Sequence, residues 1–330
     1  MRPTAVTYAL GALVLASMAV MYVLSFVLGA EPLPLIAVVA VSIFAVIGTV
    51  VALRTSLPVP RPRGVDALAG FIGSIATLFL AREMGVPVLV AGALVGIGFG
   101  VAALPGGPLD DQAAGAGYTG AFVGLLTPDI TLSVAWVVLA GTVAGVLWSV
   151  IGPAVFQGVG GRMGVVGFMA SSGIYALAAL LGDEHNATLL PQVDGMAHAA
   201  VVPVGAAAAV ITCTLMRDAG WGFNLASGVP SLAVCGVIAM SDMGAVGVVL
   251  ATGWFGGSFL GGSSPVRIRS AGWMILAGGV YGAFMLHFEG PLQGHVGVVG
   301  VTGTIACLSV IGVERLVRVR LAARGGRAVA

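Results

Sequence analysis

Lysine is absent from this chain of 330 residues, and charge of either sign is scarce: fourteen arginines and thirteen acids make up 8% of the whole. A soluble domain carries about a quarter charged residues, so a water-facing surface of ordinary size is excluded. A net charge of +1 offers no basic face for a nucleic-acid partner. Cysteine is nearly missing too. Cys213, Cys235 and Cys307 each fall in an apolar stretch with no His or acid at ligand spacing, so neither a disulfide framework nor a zinc site is expected. No loop is long enough to hold a nucleotide, and the Gly/Ser loop "GGSFLGGSSPVRIRS" at 256–270 lacks a Walker lysine. The first apolar run, opening "MRPTAVTYALGALVL", has no A-x-A cleavage site and reads as a retained span.

What is present is apolar: 58% hydrophobic residues with a mean hydropathy of +1.09. At about 20 apolar residues per crossing, the chain reads as an all-α integral membrane protein. It is a polytopic helical bundle of twelve hydrophobic segments, near 6–29, 33–53, 65–81, 84–104, 113–127, 131–151, 164–182, 198–216, 225–241, 243–261, 272–288 and 297–313. Ten to twelve of these cross fully. The segments 113–127 and 225–241, the second interrupted by Pro230, are short for a crossing and read as half-helices. With the N-terminus inside, Arg82 alone of the fourteen arginines lies outside, a strong positive-inside bias. The expectation is a multi-pass protein of a bacterial inner membrane with both termini cytoplasmic. The Arg-only basic set with excess Ala, Gly and Val suggests a GC-rich bacterial coding sequence.

An internal duplication is expected from matches about 112 positions apart. Gly124 pairs with Gly236, Thr119 with Ser231 and Ala116 with Gly228, then Asp129 with Asp242; "VPV" at 86–88 matches 202–204, and Pro153 matches Pro265. The resulting division is a two-helix hairpin and linker at 1–64, a flanking helix at 65–83, repeat 1 at 84–197, repeat 2 at 198–290, and a last helix with a basic tail at 291–330. Each copy would hold four helices, an even number, so the two would be parallel repeats about an axis along the membrane normal.

Duplicated transporters commonly place their path between repeats, near short or Gly/Pro-interrupted helices. The candidate path residues are therefore Asp129, Asp242, Tyr118, Thr119, Ser231, Asn224 and Asp111. Asp129 and Asp242 could attract a cation or exchange a proton; equally, each suits a tight turn in which the acid caps the next helix. Asp110, Asp111 and Asn224 likewise suit helix N-termini. The loop at 256–270 could nest an anion, or simply carry positive-inside arginines.

The function these features suggest is a permease or channel for a small solute or ion, with no cofactor and with the bilayer and that solute as partners. A second copy of the chain or a membrane-complex subunit is a further expected partner. A non-catalytic membrane subunit is the alternative. An intramembrane enzyme is the least supported: "FMASSGIYAL" with Ser171 and Ser172, and "LQGHVGVVG" with His295, resemble the Ser- and His-bearing helices of rhomboid proteases, but the two stretches lie far apart in sequence. The pattern "GYTGAFVGLL" is similar to the duplicated short helices of urea-channel-like folds, whose repeats are inverted and more sharply marked.

Overall fold

A computed structural model describes residues 5–28, 35–54, 56–125, 133–182, 199–286 and 296–325. Every regular element among them is helical. In chain order these are α1 (Ala5–Leu28), α2 (Leu35–Leu53), α3 (Gly64–Arg82), α4 (Val88–Ala102), α5 (Asp111–Gly124), α6 (Val134–Ile151), α7 (Arg162–Leu180), α8 (Val201–Arg217), α9 (Phe223–Ala239), α10 (Gly244–Gly261), α11 (Ala271–Met285) and α12 (Val296–Gly325). Five of them, α3, α6, α7, α10 and most of α12, are long and apolar enough to cross a membrane. Both kinds of side, core-facing and outward, are apolar: Phe79, Leu180 and Val237 are exposed, while Tyr118, Phe122 and Leu260 are buried. A helix that is hydrophobic all round belongs in lipid or a large core. The helices sit close to the twelve segments expected. At 14 residues α5 is the shortest, about 21 Å long.

The bundle is held by glycine. In α3, Gly70 and Gly73 lie against the backbone of α5 and α6 at Gly117, Gly120 and Gly141, so closely that a methyl group on Gly70, Gly73 or Gly120 would overlap main chain. Such contacts let backbones approach where lipid supplies no hydrophobic drive between helices. A second set of contacts copies the first. Gly205 of α8 meets Gly257 of α10 as Gly70 meets Gly120; Gly278 of α11 faces Gly205 as Gly141 of α6 faces Gly70; Gly282 faces Val201 as Gly145 faces Asp66. Gly124 presses on Thr77, and Gly261 on Thr212. The turns repeat too. α3 closes at Gly85 (φ +65°) with Val86 N–H donating to Leu80 O at 3.0 Å, and α8 at Gly220 (φ +70°) with Trp221 N–H donating to Leu215 O at 3.1 Å. Only glycine takes this left-handed position without strain.

These matches lie about 135 positions apart, a different spacing from the 112-residue register expected from the sequence. In that register Gly124 should behave like Gly236, yet Gly124 is wedged against α3 whereas Gly236 faces open space. Residues 86–88 lead into α4, but 202–204 lie inside α8. The position matching Asp129 is Val266, and Asp242 sits exposed in the turn between α9 and α10. Each set of matching helices numbers five: α3 to α7, and α8 to α12. Where matching helices touch, they run antiparallel. Gly161 and Gly164 of α7 meet Thr304 and Gly300 of α12 in reversed order, and Gly100 of α4 meets Asn224 and Leu225 of α9 while Ala93 meets Gly228. Outside both sets, α2 packs on α12 through Gly48 against Leu308 and Gly312 against Phe44.

The loops assigned to one side by their arginines gather at one end. Leu57 N–H donates to Ala154 O at 3.0 Å, Ser264 N–H to Gly158 O at 2.9 Å, and Arg63 pairs with Asp110 at 2.8 Å.

Candidate functional site at the junction of α4, α5, α9 and α10

The two fives meet over an aromatic cluster. Phe122 and Phe259, which occupy matching positions, are edge to face with ring centroids 4.2 Å apart. Tyr118 and Phe255, also matching, each contact the other set's phenylalanine: Tyr118 with Phe259 at 5.4 Å, and Phe122 with Phe255 at 5.5 Å. The motif "YTGAFVG" at 118–124 recurs as "FGGSFLG" at 255–261, which places these rings alike.

A chain of hydroxyls runs beside the rings. Tyr118 Oη lies 3.3 Å from Ser227 Oγ, Ser227 Oγ lies 2.8 Å from Ser258 Oγ, and Ser258 in turn donates to Phe255 O at 2.6 Å. Asn224 Nδ2 donates to Ala114 O at 3.0 Å, a second bond between the fives. Two further donors at this junction, Ser231 Oγ on α9 and Trp254 Nε1 on α10, are buried without a partner among the described residues.

Of the path residues expected from sequence, the structure brings Tyr118, Asn224 and Ser231 to this junction. Thr119 is buried beside them, but its hydroxyl is taken by Gly115 O of its own helix at 2.8 Å. Asp111, the first residue of α5, is exposed at the end of the bundle, and so is Asp242. The proposed facing of Asp129 and Asp242 has no support from Asp242's position; Asp129 lies outside the described residues. Sequence reading passed over Ser227 and Ser258, and it weighs Trp254 as pore-lining against an aromatic-belt or packing role. Their signal is the i, i+4 spacing of Ser227 with Ser231 and of Trp254 with Ser258, which puts each pair on one helical stripe.

Asp66 was passed over as well. It is fully buried in the first turn of α3, where Gln112 Nε2 donates to its Oδ2 at 2.9 Å and Arg63 Nε stands 3.6 Å away. Asp110 caps α5 by accepting from Ala113 N–H at 2.8 Å. That bond, with the adjacent Arg63 guanidinium, holds the Asp110 carboxyl below the usual range despite partial burial. The 262–270 loop is a joint rather than an open anion nest. Arg217 donates to Ser263 O at 3.2 Å and to Ile268 O, Arg267 Nε donates to Gln157 O at 2.8 Å, and Ser263 Oγ accepts from Gly160 N–H at 2.9 Å. Burial pulls the Arg267 pKa down. Ser171 donates to Phe168 O of its own helix, and His198, His287 and His295 lie outside the described residues.

No family model, curated protein or solved structure matches the chain.

Proposed function

We propose that this chain is a membrane permease for a small solute, built as an inverted duplication of a five-helix unit, 64–182 and 199–317, with its path along the interface between the units. One observation carries the reading: matching helices cross antiparallel at Ala93 with Gly228 and at Gly164 with Gly300, and a matched aromatic set packs between those crossings. A unit with an odd number of crossings inserts its second copy upside down, and inverted repeats of this kind set their substrate near the bilayer midplane at the repeat interface. The arginine bias supports a cytoplasmic assignment for the end where loops 56–63, 103–110, 152–161 and 262–270 meet. Phe122 and Phe259 then form the central barrier of the path.

The test is flux in proteoliposomes. Purified protein should accelerate passage of some small solute over empty vesicles, and Phe259→Trp, which enlarges the barrier, should slow it. A protein that passes nothing when pure, yet co-purifies with a stoichiometric partner, would be a membrane subunit instead.

A further inference from the structure

We infer that the seam of the α9–α10 hairpin holds a binding site for a small uncharged solute bearing a hydrogen-bond acceptor, with Ser231 Oγ and Trp254 Nε1 as its donors. The inference rests on the permease reading and adds the substrate class to it. The hairpin register brings these two donors together. Ser227 and Ser258 are bonded directly across the seam, and the i, i+4 register from that bond sets Ser231 of α9 level with Trp254 of α10 one turn further along. Cys235 Sγ against Ala251 O at 3.9 Å continues the same register another turn on. Ser231 is fully buried and Trp254 is 8% exposed, yet neither Ser231 Oγ nor Trp254 Nε1 has a hydrogen-bond partner among the described residues. A buried donor left unbonded costs about 1–3 kcal/mol, and here two of them face one seam.

The chemistry of the surroundings selects the occupant. Trp254 belongs to one hydrophobic cluster with Ala208, Cys235 and Ala251, against which Leu89, Val90, Val204 and Ile238 pack, and none of these carries a charge. An ion would stand there desolvated at a cost of several kcal/mol. An indole N–H only donates, so the solute must accept, through a carbonyl or hydroxyl oxygen. The other unit offers no equivalent: the positions matching Ser227, Ser231, Trp254 and Ser258 are Gly92, Gly96, Gly117 and Ala121. One site therefore serves each chain, to one side of the pseudo-twofold axis.

Stopped-flow light scattering of proteoliposomes with acetamide and glycerol, alongside sodium and acetate conductance, tests this. Acetamide or glycerol should cross faster than through empty vesicles while sodium and acetate do not. Ser231→Ala and Trp254→Phe should each slow that passage several-fold to about tenfold, the loss of one neutral hydrogen bond, and Ser231→Thr, which keeps the hydroxyl, should restore it in protein of equal helicity and monodispersity. Passage of the ions without the neutral probes overturns the inference and leaves the permease reading standing. Neutral passage undiminished in both variants overturns the site. Passage of nothing at all overturns the permease reading, and this inference with it.

Discussion

Among individual residues, Asp110 does the most readable work. Its Oδ1 takes the Ala113 N–H that would otherwise be orphaned at the start of α5, and its Oδ2 meets Arg63. Asp110→Ala should lower stability by about 0.5–2 kcal/mol, the worth of such a cap, while Asp110→Asn, which keeps an acceptor, should lose less. Because the folded carboxyl titrates below its unfolded value, its contribution is complete above the ordinary aspartate range, near pH 3.9, and is lost as pH falls through the folded value. Melting in detergent at neutral pH and under acid should therefore show the wild type converging on Asp110→Asn as pH drops. Asp242→Asn, at an exposed turn, should change neither stability nor flux. The contrast shows what was legible. Acids are loud in an uncharged chain, so Asp129 and Asp242 drew the functional reading. The hydroxyl chain was silent because a serine in an apolar helix usually serves as packing glue, and Tyr118 and Ser227 meet only once the bundle has folded.

Between elements, the decisive distances are those between glycines. A side chain at Gly164 would drive into the Gly300 backbone where α7 crosses α12, while one at Gly98 of α4 meets nothing. Gly164→Ala should lose folded, monodisperse protein, whereas Gly98→Ala should be neutral or raise stability by about 0.5–1 kcal/mol through helix propensity. Thermal unfolding of both variants in one detergent makes the comparison. The helices themselves were legible, since each needs only an apolar run and a polar or Gly/Pro break. The proposed duplication has support in the chain too, in "SVAWVVLAGTVAG" at 133–145 against "SAGWMILAGGVYG" at 270–282 and in "AREMG" at 81–85 against "MRDAG" at 216–220. A single fixed offset misses these matches, because the pieces drift by two positions between α4 and α5, and the acid at 129 has valine as its counterpart.

For the molecule as a whole, the inverted duplication proposed above would pose a problem of sidedness that the charges can resolve. In the proposed arrangement Arg82 and Arg217 hold matching turns of the two units, so they would fall on opposite faces of the membrane and cancel as topogenic signals. Orientation must come from arginines without a charged counterpart. Arg63, Arg267 and Arg269 match His198, Ile130 and Leu132, and each of these arginines lies at the end where the loops gather. In that arrangement the bias would fix one of two otherwise equivalent orientations. It follows that the matching turns must label from opposite sides. With Cys213, Cys235 and Cys307 replaced, a single cysteine at Met84, which is 61% exposed, should react with an impermeant maleimide added to intact cells. One at the exposed Ala219 should react only after the membrane is opened. Labelling of both from the same side would remove the inverted arrangement, and with it the reason for placing a path between the units.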